Sequence, residues 1–345
     1  MSPRLCLSLA AACAACLLSA PAAPAAEGPG VSIEAKKGVL EFKVGKDLVT
    51  RYHVGESVAK PYFWPLTAAN GAVVTRAWPM EQPAPPGGST DHVHQKSAWF
   101  CHGDVIPEGV ALKHKVKGVE GVDFWSEAAG HGVIACVHVG EPKNDKDHAT
   151  VETKNEWRTA DGVKVLDETR TISLYALGDG RLYVLDIDLH ATAAPITFGD
   201  TKEGSIGVRV NDEIRETPGK NETVGGHGKL TNAEGKTGEK AVWGYPSKWC
   251  DYSGTIGGKE AGIAIFDDPG NKYPAAWHSR GYGLMAANPF GRGKSGFPAL
   301  KGRTDLVKIP KGEHLKLRYG IFVHDGNVKD GKVAEAFEKF VKIKG

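Results

Sequence analysis

The densest run of chemically capable side chains is Asp91-His92-Val93-His94-Gln95-Lys96, followed by Trp99-Phe100-Cys101-His102-Gly103-Asp104. On an extended backbone side chains repeat every two residues, so His92 and His94 would share a face. Two imidazoles on one face can shuttle a proton, hold a hydroxyl or bind a metal. The Pro/Gly-rich lead-in from Pro83 to Gly88 points to a loop feeding a strand, where functional groups rest on a rigid scaffold. The plain alternative is two histidines on a solvated strand edge. A second run, Thr197 to Ser205, carries Glu203 on a glycine-bounded turn. A carboxylate there suits a general base tuned by its surroundings, against the alternative of a solvated surface turn holding Asp200, Lys202 and Glu203.

A third group comprises Trp249-Cys250-Asp251-Tyr252-Ser253-Gly254, Trp277-His278-Ser279-Arg280-Gly281-Tyr282-Gly283 and Asn288-Pro289-Phe290-Gly291-Arg292. Flat rings stack on the C–H face of a sugar, while its hydroxyls need directional donors and acceptors. The leading expectation is therefore acid–base chemistry on carbohydrate: epimerisation, elimination or hydration, or glycoside cleavage. His92 and His94 take acid or metal-ligand duty and Glu203 is the base. Arg209, Trp249, Asp251, His278, Arg280 and Asn288 position substrate. A second expectation is a glycan-binding module without catalysis, with Trp249 or Trp277 as its platform. A third places one divalent metal, the one cofactor these residues could take, on His92, His94 and His278.

Other chemistries lose weight. The chain has no GxSxG elbow, phosphate-binding Walker loop, HExxH pair or GxGxxG opening a helix. Formal net charge is +2 with acids and bases interspersed, which argues against nucleic acid as a partner.

The elements that must carry these groups read as strands. Val31 to Ala35, Val39 to Val44, Leu48 to Val54, Ile206 to Val210, Gly262 to Phe266 and Leu315 to Val323 are short runs rich in β-branched residues. Leu182 to His190 alternates apolar and polar in its second half, as a half-buried strand does. Asn70-Gly71 between apolar stretches is a hairpin signal. Pro83 to Gly88 and Gly219 to Lys240 read as loops. Only the C-terminus has a helical period, with Val333, Phe337, Phe340 and Val341 on one face and the helix placed at a sheet edge. Forty-four glycines without a collagen repeat fit a turn-rich β protein. The fold class predicted is all-β: one large two-sheet antiparallel sandwich over residues 26–345, with a short C-terminal helix.

Residues 1–25 carry Arg4, an apolar run from Cys6 to Leu18 and Ala23-Pro24-Ala25, the pattern of a secretory signal peptide. The mature chain is expected in the periplasm or outside the cell, with no later segment able to span a bilayer. Cys101, Cys136 and Cys250 then remain, allowing at most one disulfide.

The series Arg51-Tyr52-His53, Pro61 to Pro65, Asp91 to His94, Val122 to Trp125, Asp200 to Gly204, Trp249 to Gly254, Trp277 to Arg280 and Ala287 to Phe290 resembles an exported bacterial family commonly labelled PmoA, methane oxygenase. It departs at Gln95, where that family often has a second consecutive His. Methane oxygenation itself does not fit, since the oxygenase subunit of that name is an integral membrane protein. What the resemblance implies is a sandwich similar to the galactose mutarotase-like fold and a setting in glycan use. Mutarotases work with a His acid and a Glu base, for which His94 and Glu203 are the nearest residues by type.

Overall fold

Period-two alternation decides what each strand buries, and the strand Gly180–His190 shows it plainly. Tyr183, Leu185, Ile187 and Leu189 point into the main core. Leu182 and Val184 point the other way, into a second apolar cluster beneath the C-terminal helix, and Asp186 and Asp188 continue that outer face toward solvent. The computed structural model describes residue 1 and residues 30–178, 180–218 and 223–343; beyond Met1 the expected export signal lies outside them.

Two large antiparallel sheets result. The first runs Val31–Lys36, Val39–Val44, Asp47–His53, Tyr62–Phe63, Ala98–His102, Gly204–Arg209, Leu284–Asn288, Ala276–Trp277. The second runs Lys229–Asn232, Trp249–Ile256, Lys259–Asp267, His314–Asp325, Gly180–His190, Lys164–Leu177, His148–Arg158, Val133–Val139, with Lys143–Asn144 paired to His148–Arg158. A small sheet of Val307–Ile309, Ile196–Phe198 and Val105–Pro107 stands beside them. Aromatic rings lock the sheets face to face. Phe42 and Phe63 meet Tyr183 at 6.1 and 5.6 Å between centroids, and Phe100 meets Trp157 and Tyr319 at 6.1 and 6.3 Å. The molecule is thus the all-β two-sheet sandwich its patterning predicts.

Several local expectations need correction. The helix Val333–Lys342 covers the outer face of the second sheet rather than its edge. Val333, Ala336, Phe337 and Phe340 are buried there, whereas Val341 turns outward and is 38% exposed. Each buried Phe contributes roughly 1.5–3 kcal/mol. Asn70-Gly71 forms a tight turn with a single bridge, Thr67 to Val73, and no extended hairpin. The presumed loop from Gly219 to Lys240 contains the edge strand Lys229–Asn232; residues 219–222 lie outside the described residues. Cys101, Cys136 and Cys250 are all free thiols.

The cleft follows from the first sheet's order. Ala98–His102, Gly204–Arg209 and Leu284–Asn288 are consecutive neighbours, with Phe100 opposite Ile206 and Ile206 opposite Ala287. Phe100 points into the core, so Trp99, Gly207 and Ala286 in the adjacent register face outward. Gly207 makes space there: a Cβ would meet Trp99 at 2.8 Å and Trp125 at 3.2 Å. The two indoles cross edge to face, 5.1 Å apart, over the bare backbone.

Candidate functional site

His92, His94, Glu203 and His278 line one cleft of about 390 Å³ on that outward face, together with Lys202 and Arg280. Segments distant in sequence meet because each adjoins one of the three neighbouring strands. The Asp91–Gln95 turn precedes Ala98–His102, and Ser97 accepts from the Arg209 amide at 2.7 Å. The 200–203 turn precedes Gly204–Arg209, and Glu203 accepts from the Gly103 amide at 2.7 Å. His278 bonds to Ala286 through the backbone.

The Asp91–Gln95 segment is a turn, not the extended stretch expected. His92 has φ +42°, a left-handed conformation unusual for a side-chain-bearing residue. The two imidazoles meet edge to face at 5.7 Å instead of lying side by side on a strand. His92 Nδ1 lies 2.7 Å from Asp91 Oδ2. A carboxylate can only accept, so this contact puts the imidazole proton on Nδ1 and leaves Nε2 for the cleft. Asp91 Oδ1 accepts from Arg76 Nη1 at 2.7 Å, Arg209 Nη2 at 2.8 Å and Ser89 Oγ at 2.7 Å. Burial opposes its ionisation, but the His92 hydrogen bond, the Arg209 charge and Ser89 outweigh that and hold the carboxyl well below the usual range. The His92 ring also stacks on Tyr282 at 5.1 Å and 9°, and the Arg209 guanidinium covers that tyrosine at 4.6 Å. Hydrogen bond and stack together fix the imidazole's direction. Gln95 is buried and accepts from Arg209 Nη1 at 2.7 Å, so it tethers this network.

His278 Nδ1 lies 3.8 Å from Glu203 Oε2. Burial, then Arg280 and Lys202, push the His278 imidazole down to about 3. Burial, then Lys60 and His92, push His94 down to about 3. Both rings are therefore neutral near pH 7. Glu203 is half-buried, and desolvation raises its carboxyl above the ordinary glutamate value, with Lys202 opposing. Its turn is held firmly. Asn288 Nδ2 donates to the carbonyls of Thr201 and Lys202 at 2.9 and 3.1 Å. Asp200 accepts backbone amides of Arg292, Lys294 and Ser295 at 2.5–2.9 Å.

Of nine expected site residues, five line the cleft: His92, His94, Glu203, His278 and Arg280. Four do not. Arg209 is fully buried behind Tyr282 and acts on Asp91 and Gln95. Asn288 is fully buried and pins the Glu203 turn. Trp249 belongs to the apolar cluster under the C-terminal helix, on the other sheet. Asp251 is buried on that same sheet face, 2.8 Å from His324 Nε2. The expected aromatic platform is not formed either. Trp277 is fully buried with its Nε1 on the Ser247 carbonyl, and Tyr282 is covered by His92 and Arg209. Among the described residues no three His, Cys, Asp or Glu side chains are grouped to hold a metal ion, so the trio His92, His94 and His278 is not arranged as ligands. Sequence reasoning passed over Arg76 and Glu239, and named Asp91, Trp125, Lys202 and Tyr282 without giving them a role in the site. The Asp-His adjacency was a usable signal for Asp91; nothing near Arg76 in sequence announced its partner.

Fold and cleft define a class: an antiparallel β-sandwich carrying imidazoles and carboxylates in a hollow on one sheet face. The chain belongs to DUF6807, described as a family of unknown function, whose model matches residues 39–338. That description carries no methane-oxygenase label, and no described helix is long and apolar enough to cross a membrane. No curated protein matches the chain in sequence. Solved structures similar in fold include a galactose mutarotase-like protein from Clostridium acetobutylicum, at 9% identity and TM-score 0.41 over 86% of this chain and 99% of that one. Galactose 1-epimerase from Lactobacillus acidophilus NCFM is similar at 9% identity and TM-score 0.38, over 86% and 98%. The GH36 alpha-galactosidase AgaA from Geobacillus stearothermophilus is similar at 9% identity and TM-score 0.39; 87% of this chain spans 41% of that one.

Proposed function

We propose that this protein is an exported enzyme that moves protons on a sugar or glycoside, by epimerisation, elimination or hydration, or hydrolysis. The observation that carries the reading is the meeting of two groups in one cleft: His92, oriented by Asp91, and Glu203, whose carboxyl is raised by burial beside neutral His278. An oriented imidazole and a carboxylate raised toward the operating pH are what paired acid and base work needs. His92 Nε2 gives or takes one proton, and Asp91 stabilises the imidazolium whenever it forms. Glu203 takes the other proton, with the His278 ring close to Oε2. His94 adds a neutral imidazole for a hydroxyl.

The hollow's size and lining support a single sugar unit. About 390 Å³ lies at the small end of ligand pockets, and the walls offer imidazole, ammonium, guanidinium and carboxylate groups beside Trp125 and Tyr282. Burial of Trp249 and Trp277 leaves a purely stacking glycan module without its platform. The N-terminal signal pattern supports action in the periplasm or outside the cell.

The experiment incubates the purified protein in D2O with aldoses, glycosides and keto-glycosides and follows anomer exchange, C–H exchange and cleavage by NMR. Turnover of at least one class is expected, falling about 10²- to 10⁴-fold in Glu203→Gln. Full turnover in that variant, or binding without any turnover across the panel, overturns the reading.

A further inference from the structure

Arg280 has a feature that acid–base work does not use. Its guanidinium lies over the Trp243 ring at 4.9 Å, and its Nη1 donates to Glu239 Oε1 at 2.8 Å. The other Glu239 oxygen accepts the Gly281 amide at 2.7 Å, so the carboxylate is fixed to the same turn. The Arg280 backbone is held as well, its amide on the Leu284 carbonyl and its own carbonyl on Tyr252 Oη at 2.7 Å. Among the described residues the guanidinium donates through Nη1 alone, so Nε and Nη2 keep their protons for something else. The side chain lines the cleft and is 25% exposed. A second cation, Lys202, lines the same cleft and is 42% exposed, with its nearest carboxylate oxygen, Glu203 Oε1, at 4.0 Å. That distance is too long for a hydrogen bond.

We propose that the cleft selects a sugar acid, with the open edge of Arg280 receiving the substrate carboxylate and Lys202 making a second contact to it. This rests on the acid–base reading of the same cleft and names its substrate class. A guanidinium already held in plane by a glutamate and an indole loses little freedom on binding, and its fork matches a planar carboxylate. Neutral His278 fits this picture, since Arg280 and Lys202 are the largest influences after burial that disfavour its charged form.

The test is calorimetric titration of the whole protein with galacturonate and glucuronate against galactose, glucose and galactose 1-phosphate, in the wild type, Arg280→Met, Arg280→Lys and Lys202→Met. The acids are expected to bind about tenfold or more tightly than their neutral counterparts, a charged hydrogen-bond contribution. Arg280→Met abolishes the preference by weakening acid binding more than neutral-sugar binding, and Arg280→Lys restores part of it. Melting curves establish that each variant is folded, and Arg280→Lys and Lys202→Met carry the test should Arg280→Met fail to fold. Equal binding of acids and neutral sugars, a preference untouched in the variants, or tighter binding of the phosphate overturns the proposal. Glu203-dependent turnover of neutral sugars without acid preference overturns this inference alone. Arg280-dependent acid preference with no turnover of any sugar leaves it standing and removes the enzymatic reading.

Discussion

Asp91 divides its two oxygens between different tasks: Oδ2 takes His92 Nδ1 at 2.7 Å, while Oδ1 sits between the guanidiniums of Arg76 and Arg209. The carboxylate is therefore both a director of the imidazole and the counter-charge of two buried cations. Asp91→Asn keeps the shape but offers an amide that can turn its NH2 toward His92, which would move the imidazole proton to Nε2. Turnover is expected to fall about 10²- to 10⁴-fold, the usual worth of a positioned acid–base group. Steady-state kinetics beside a melting curve separate this from unfolding.

The pH dependence has a definite sign. Burial raises the Glu203 carboxyl and Lys202 opposes that rise. A base must be ionised, so activity climbs as pH rises through this elevated value. Lys202→Met removes the opposing charge, raises the carboxyl further and moves the acidic limb of kcat/KM to higher pH. A limb that stays in place, or moves to lower pH, dissociates Glu203 from that limb.

Asn288 bonds the Thr201 and Lys202 carbonyls and the Phe290 and Gly291 amides from a fully buried position. Asn288→Ala leaves those groups without partners. Urea denaturation should show a loss of about 2–3 kcal/mol. Activity should drop with it, because the freed turn carries Glu203; Asn288→Asp, which retains the acceptor but not the donor, should be intermediate in stability.

His324 supplies a pH-dependent element of stability far from the cleft. Burial disfavours its charge, but Asp251 at 2.8 Å outweighs that and raises the imidazole above its ordinary value. A group raised in the folded state contributes fully below its unfolded value, about 6.5, and the contribution is lost as pH rises through the folded value. Melting temperatures of the wild type measured against His324→Gln between pH 5.5 and 9 should converge as pH increases. Parallel curves would show that the pair does not titrate in this range.

Much of the sandwich was legible because its strands alternate. Leu185 to His190 reads apolar-polar, and the core takes every apolar member. The helix was legible from its period, but its seat was not: Leu182 and Val184 reveal a second buried face only once the chain returns 150 residues later. The cleft was legible by residue type for the histidines, Glu203 and Arg280. Trp249 and Asp251 misled because alternation along Trp249–Ile256 sends Cys250 and Tyr252 to the main core and those two to the opposite face. Arg76 went unremarked and Arg209 read as a substrate-positioning group, since the carboxylate they share arrives from a third stretch of chain.

Gly207 reaches further than its size suggests. The absent methyl lets two indoles lie down on the sheet, so one hydrogen where other residues carry carbon sets how deep the hollow can be. Enlarging that position would lift the floor beneath any guest. Capacity for larger or smaller molecules can thus be adjusted from below, with the reacting groups on the walls left as they are.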